Sequence, residues 1–522
     1  MKKTATLLLL LLGFSVSLKA QLNIQFSEVT KPDGYFRGFY PVSENEFYTV
    51  RTVGFARSTE LSLYKNYQEV TTNKVKMTVG SGSATWESSA LIDKNVVIFF
   101  SDKGIEGDLK TNSLFLQRYN DNCLPSGDPQ LLSKVVIQKA WRKAGSYSVL
   151  SSSNGEFFCI EYDIPGKKDE NDRFMYKIFS KTFDLIQEGE YEVPYESRVS
   201  NISRRYISNT GDYFISCNVY DMGEKKRIKD ISSLEKVILI HIKKDGLEEM
   251  EMEIDGRRAI EMNYSSDGKG IMTFTGLYGD KSERGIKGIF YYRYDFINKK
   301  LIDSGFEAFT KDFITSDWSE KQKAKAQKKE DKGKSAPQLY NYEIRGLMTQ
   351  SDGSIVGLME QYWVQVITST DPKTGATSTT YIYHYEDLIV YKIQKNGTFE
   401  WVKKIPKGQV SSNDGGFLSS VSSFMKDGKM MIIFNDNLKN YDEKGNYNGE
   451  TFGTSYSKKI SVVAYAEVDI ESGDIERKLA FGPEVLNQYA VPKSFEVDMK
   501  TNQVWMIFRP GKKKFQFAKM TL

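Results

Sequence analysis

From Leu22 to Leu522 the chain alternates short apolar runs with polar turns. Glu46-Phe47-Tyr48-Thr49-Val50, Val96-Val97-Ile98-Phe99-Phe100, Val237-Ile238-Leu239-Ile240 and Lys429-Met430-Met431-Ile432-Ile433-Phe434 are typical, and Asn-Gly, Asp-Gly or Ser-Gly signals bound such runs. β-Branched and aromatic residues suit a pleated, half-buried surface, and a helical period of apolar positions is nearly absent. The pattern predicts an all-β chain, built as a sandwich array, a barrel set, a solenoid or a propeller.

The spacing of the turns narrows that choice. One family precedes the most apolar strand of each unit: Asn45, Asn95, Asn154-Gly155, Thr210-Gly211, Asp267-Gly268, Asp352-Gly353, Asp427-Gly428 and Thr501-Asn502. A second falls between them: Lys65-Asn66, Asn120-Asp121, Phe183-Asp184, Asp245-Gly246, Asn298-Lys299, Asn396-Gly397, Ser472-Gly473 and Pro510-Gly511. Each unit then reads as strand, tight turn, apolar strand, variable loop, strand, tight turn, edge strand. Radial repetition of such a sheet is a β-propeller, here of about eight four-stranded blades. The last unit has only three strands of its own, near 494–497, 503–508 and 514–520, so residues 22–26 are expected to supply the fourth and cover exposed edges. Seven blades with a decorated loop, or tandem β-sandwiches, are the alternatives.

Three segments interrupt the rhythm in the second half. A Lys-rich insert at 316–336 is free of strand formers and predicts an exposed helix or loop, with Asp317 and Glu320 spaced for an N-terminal capping box. Residues 363–385 flank Asp371-Pro372-Lys373-Thr374-Gly375 and predict an extended hairpin. Residues 435–457 form a long polar loop rich in Asn, Asp, Gly and Tyr.

The N-terminus carries a targeting pattern: Lys2 and Lys3, an apolar run from Leu7 to Phe14, then a short polar stretch ending at Ala20. The run is well short of the ~20 residues a membrane span needs, so a signal peptide at 1–20 with cleavage after Ala20 is the reading, and an uncleaved anchor the alternative. The first Cys is Cys123, which argues against a lipid-modified N-terminal Cys. Residues 21–522 are then a single propeller domain, exported to the periplasm, the outer membrane or the extracellular space, with no transmembrane span after cleavage.

Composition matters mainly for what it excludes. The formal charge of +4 falls to about +1 once Lys2, Lys3 and Lys19 leave with the signal, so no global field attracts nucleic acid. Two His leave little room for imidazole metal sites or His-based acid–base catalysis. His241 and His384 lie on strand-like runs without ligand partners at metal spacing and are expected to be structural. Cys159 and Cys217 sit in apolar runs as small buried hydrophobes.

The run from Asp387 to Pro406, continuing to Ile433-Phe434-Asn435-Asp436-Asn437, resembles blades of uncharacterised secreted β-propeller-like proteins of Gram-negative bacteria. The resemblance implies fold and export and carries no activity, so it transfers no catalytic residue.

Candidate chemistry comes instead from the inferred architecture. The first strand of each blade lines a central channel, and those strands carry Arg37, Glu87, Arg204, Glu261, Arg345 and Glu496 at similar distances before the following turn. Charge there must be paired or hydrated. The set is either a ring of stabilising ion pairs or, with Trp86 and Tyr147, a polar ligand site at the funnel mouth. No catalytic residue and no metal site is assigned, and no cofactor is expected, the single candidate being calcium at Asp436, Asn437 and Asp442. Lys321 to Lys334 would suit anionic glycans, lipopolysaccharide phosphates or an acidic protein surface. The expected function is an exported binding or scaffolding propeller of the bacterial envelope or extracellular space, its partner an envelope protein or a glycan. A propeller-type glycan hydrolase or lyase using funnel carboxylates and arginines is the alternative.

Overall fold

The computed structural model describes residues 22–31, 34–53, 58–77, 79, 83–137, 144–167, 169–220, 234–243, 246–252, 256–266, 270–280, 285–333, 336–457, 459–482, 485–486, 488–510 and 514–522. The expected signal peptide, the turn residues Asp245, Asp267, Gly268 and Gly511, and positions 334–335 of the Lys-rich insert lie outside them. Among the described residues no helix is long and apolar enough to cross a membrane.

Eight antiparallel sheets follow one another along the chain. Seven are built from consecutive strands: blade 1 spans residues 35–74, blade 2 83–136, blade 3 147–196, blade 4 200–252, blade 5 257–308, blade 6 342–405 and blade 7 421–479. Blade 8 is composite. Its inner strand is split into Gln488–Ala490 and Glu496–Asp498 by a 3-10 turn at Pro492–Ser494. Gln503–Pro510 and Gln516–Thr521 follow, and the outermost strand is Gln25–Phe26 from the other end of the chain, in the register Gln25↔Lys519 and Phe26↔Ala518.

The core establishes that these sheets form a closed ring. Eight hydrophobic clusters each bridge one pair of neighbouring blades, and the eighth joins blade 8 back to blade 1 through Trp505, Ile507 and Phe517 against Phe39, Phe47 and Tyr64. The uninterrupted apolar second strands now have a cause. Val96 and Ile98 face blade 1 while Val97 and Phe99 face blade 3, because side chains alternate across a strand buried on both faces. The fold is an eight-bladed, all-β propeller.

The turns mostly match expectation, with instructive exceptions. Asp93 and Lys94, at φ 46° and 68°, make the two-residue turn expected at Asn95, which instead opens the next strand. Pro510 ends the second strand of blade 8, so the connection there joins strands two and three and does not belong to the second turn family. In the Lys-rich insert the helix Glu320–Glu330 is capped by Ser319 with Gln322, replacing the expected Asp317 and Glu320 pair. The Ser319 hydroxyl reaches the Gln322 amide from an extended backbone, while Asp317 is drawn to the ammonium of Lys404.

Strands alternate in direction within a blade, so the 1–2 and 3–4 turns leave one end of the disc. The 2–3 connections and the blade-to-blade connections leave the other. Every long segment belongs to this second set: the helical insert after blade 5, the hairpin Ile355–Thr370 and Thr377–Ile393, and the segments 406–420 and 438–460. One face of the propeller is therefore decorated, and the opposite one is closely turned.

Candidate functional site

The inner strands start at the decorated face, and there a structural device recurs. In five blades the inner strand slips register near its start, at Phe36/Gly38, Trp86/Ser88, Ile202/Arg204, Ala259/Glu261 and Ile344/Gly346. A bulge leaves one residue outside the ladder and re-aims the side chains around it. The residues skipped are Arg37, Glu87, Ser203, Ile260 and Arg345, and Arg204 and Glu261 follow immediately. Five of the six charges expected in the channel, Arg37, Glu87, Arg204, Glu261 and Arg345, are thus bulge residues or their neighbours, gathered at the mouth on the decorated face.

They do not form a continuous ring of ion pairs. Arg204 Nη2 meets Glu261 Oε1 at 2.7 Å, and this is the only pair within the expected set among the described residues. Burial raises the Glu261 carboxyl and outweighs the opposing pull of Arg204. Arg37 donates from Nε to Thr52 Oγ1 at 3.0 Å and lies 5.4 Å over the Trp86 ring. Glu87 accepts from Ser101 Oγ and is raised by burial. Trp86 Nε1 is a buried donor without an acceptor among the described residues.

Tyr147 does not belong to the mouth. It is buried between blades 2 and 3, where its hydroxyl donates to the Asn112 carbonyl at 2.9 Å. The inner strand of blade 3 is only Tyr147–Ser151 and has no bulge, so nothing turns this ring inward to the channel. Glu496 lies farther along the channel, opposite Trp505 on the split strand of blade 8. Water reaches its carboxyl, yet protein encloses it, and this desolvation pushes it up to about 7.

The densest chemistry centres on blade 6 and was only partly foreseen. Arg345 Nε and Nη1 reach Glu360 Oε2 and Glu343 Oε2, each at 2.8 Å. Glu360 and Lys407 are both fully buried, paired at 2.8 Å, and Ser420 Oγ donates to Glu360 at 2.6 Å. Burial alone would raise the Glu360 carboxyl; Lys407 and Arg345 overcome it and hold it below its ordinary range. Lys407 also donates to the Tyr385 carbonyl and to Gln409 Oε1, tying segment 406–420 down onto the hairpin. Lys493, from the 3-10 turn of blade 8, crosses the mouth to donate to Tyr385 Oη at 2.8 Å and to the Gly416 carbonyl at 2.9 Å. Lys407 and Lys493 lie in loop-like sequence where no strand pattern points to the channel. Glu360 is hidden in an otherwise apolar run, the one acid in Ile355-Val356-Gly357-Leu358-Met359-Glu360.

The calcium candidates disperse. Asp436 is buried against the Arg477 guanidinium and accepts from Tyr441 Oη at 2.6 Å and Asn440 Nδ2 at 2.9 Å. Asn437 donates to the Gly453 carbonyl, and Asp442 accepts from the amides of Lys444 and Asn446 in its own turn. His241 stacks on Phe214 and meets Asp212 at 3.2 Å; His384 stacks on Trp363 with ring centroids 4.5 Å apart.

No protein-family model matches the chain, and no curated protein matches it. Among solved structures it is similar to the WD40 domain of SCAP from fission yeast, at 10% identity over 96% of each chain with a TM-score of 0.37. It is also similar to prolyl oligopeptidase B from Galerina marginata, at 10% identity and a TM-score of 0.37. There the match covers 94% of this chain and 56% of the peptidase, so the chain spans little more than half of that protein. The Dos1 propeller matches at 6% identity over 79% of this chain and 90% of its own, with a TM-score of 0.29. At these scores it is the eight sheets and their eight shared cores, rather than the neighbours, that carry the fold.

Proposed function

We propose that the chain is an exported binding or scaffolding propeller of the bacterial envelope or extracellular space, which receives a partner on its decorated face around the channel mouth. One observation carries the reading: the long connections, the bulge-borne charges and the buried donors without an acceptor among the described residues, Trp86 Nε1 and Arg345 Nη2, all gather at the same end of the disc. Function concentrates on loops held by a rigid scaffold, and bulges that re-aim side chains accompany binding sites. Export rests on the Lys2-to-Ala20 pattern, and the link to secreted proteins of Gram-negative bacteria on the blade-level resemblance at 387–406.

A glycan hydrolase or lyase would draw on Glu496, the channel acid pushed up to about 7. Such chemistry needs a second carboxylate nearby. Enclosure accounts for the shift of Glu496, and among the described residues no hydrogen bond or ion pair joins it to a second catalytic group, so binding is the better-supported reading.

The test is recovery of cross-linked partners from fractionated native cells, comparing wild type with an Arg37→Gln/Arg204→Gln variant. The reading predicts a mature chain beginning at Gln21 outside the cytoplasm and loss of the recovered partner in the variant. An intact N-terminus in the cytoplasm, or undiminished recovery by the folded variant, would contradict it.

A further inference from the structure

The hairpin of blade 6 is longer than the blade needs. The inner strand Tyr342–Thr349 pairs with its second strand only up to Tyr342↔Gln361. Beyond that the second strand continues to Thr370, paired on one side from Tyr362↔Tyr385 to Thr370↔Thr377. On the third-strand side the short strand Gln409–Ser412 covers residues 382–385. On the channel side Tyr362 donates its amide to the Asn341 carbonyl at 2.7 Å, and among the described residues no backbone partner follows it along 363–370. Hydrogen-bonding direction alternates along a strand, so the amides of Val364, Val366 and Thr368 point to this open edge, as that of Tyr362 does.

Exposed edges are normally blunted with Lys, Pro, bulges or short length. This one is not. Residues 361–370 and 377–385 hold no Asp, Glu, Lys, Arg or Pro, in a chain that is 27% charged. The arm is regular from Tyr362 to its tip and presents Val366, Ile367 and Tyr381 at 55%, 44% and 45% exposure. A surface of this kind pairs with another strand.

The base of the arm identifies the occupant. A strand added antiparallel to Ile355–Thr370 runs in the same sense as Tyr342–Thr349, from the decorated face into the disc, so its C-terminal end arrives beside Tyr362. There Arg345 lies 5.3 Å over the Tyr362 ring, with Nη2 buried and without an acceptor. Lys493 lies 4.7 Å over the Tyr385 ring and has no carboxylate within ion-pair distance among the described residues. Lys493 is exposed to solvent, yet partial enclosure and the neighbouring Arg345 disfavour its ammonium more than Glu360, Asp414 and Glu343 favour it from a distance, a balance that a carboxylate in direct contact would reverse. A second copy of the arm, paired edge to edge, would bring Asp371 to the same place. That carboxylate is already held by the amides of Lys373 and Thr374 in its own turn.

We propose that the open edge of the blade 6 arm captures the extended, uncharged C-terminal tail of a partner protein as an added antiparallel strand, its terminal carboxylate meeting Lys493 and Arg345. Main-chain bonds supply affinity and the carboxylate supplies direction and register. Alternate tail side chains lie beside Val364, Val366, Tyr381 and Tyr383 on one face of the arm, which favours β-branched or aromatic residues at those places. The proposal rests on the binding reading only in its choice of face.

The test uses the full mature chain and two labelled octapeptides of alternating Val and Thr, one ending in a free carboxylate and one in an amide, followed by fluorescence anisotropy. The acid is expected to bind about tenfold or more tightly than the amide. Val366→Pro, and independently Val364→Pro, removes an outward amide and is expected to abolish binding of the acid. Lys493→Met should erase the preference for acid over amide, and Lys493→Arg should restore it. Equal binding of the two peptides, binding indifferent to both proline variants, or binding of neither at millimolar concentration would overturn the proposal. Self-association of wild type that Val366→Pro removes would assign the edge to a second copy instead. Retained dependence of native-partner recovery on Arg37 and Arg204 alongside any of these results would keep the binding face and discard this edge.

Discussion

Two sheet edges in this propeller meet opposite fates. At the seam, the outer edge of Gln516–Thr521 is covered by the chain's own Gln25–Phe26, and the bridge Thr30↔Phe515 extends the contact. At the arm of blade 6, the channel-side edge of 362–370 has no such cover among the described residues. The seam is backed by an aromatic cluster in which Phe47 touches Tyr64, Trp505 and Phe517 with ring centroids 4.8–5.2 Å apart. The arm is backed by its own hairpin and, near its base, by the short strand Gln409–Ser412, and toward the tip Tyr381 reaches solvent. A fold that closes one edge with such thoroughness and leaves another long, regular and uncharged is using the second for something other than stability.

The largest expected effect breaks the seam. Phe517 is fully buried between blades 8 and 1, and Phe517→Ala should cost about 3–5 kcal/mol in urea-induced unfolding. Next comes the base of the arm. Lys407→Met leaves the buried Glu360 with one of its two cations and should cost about 3 kcal/mol, and adding Glu360→Gln to that variant should recover most of the loss. Recovery would separate a network that holds the arm's base in position from one that merely fills space.

A smaller, pH-dependent effect belongs to Glu496, on the split strand at the inner end of the seam. Its carboxyl is raised from 4.5 to about 7 in the folded protein, so the folded state holds the proton more tightly than the unfolded chain does. The resulting stability is fully present below pH 4.5 and is lost as the pH rises to about 7. Glu496→Gln should flatten that part of the profile of melting temperature against pH; an unchanged slope would show that the channel solvates this acid fully. The smallest effect on stability is expected at the arm. Val366→Pro removes an amide that faces no partner and should change unfolding by less than about 1 kcal/mol while eliminating peptide binding.

The fold was legible because a propeller repeats. Turns recur in phase, the second strands are apolar on both faces, and the three-strand deficit at 494–520 calls for a fourth strand from residues 22–26. The charged mouth was legible for a related reason. A bulge at the same depth of several inner strands places Arg37, Glu87, Arg204, Glu261 and Arg345 at similar distances from the next turn. Tyr147 was misplaced because strand membership does not reveal which face an aromatic ring turns to, and burial between blades 2 and 3 prevailed. Lys407 and Lys493 were invisible because both come from irregular segments whose place over the channel depends on long-range closure. Glu360 was masked by its apolar neighbours, although a lone acid in a buried run is itself a sign that a cation must lie nearby.

Hydrogen exchange at the two edges tests this account most directly. The amides that pair Gln25–Phe26 and Thr30 with 515–519 should exchange slowly, because opening them means opening the ring. Those of Val364, Val366 and Thr368 should exchange rapidly in the free protein and slow when the free-acid peptide is added. Equal and strong protection of both edges without peptide, or rapid exchange at both, would contradict a ring closed by its own first strand and an arm held open for a partner.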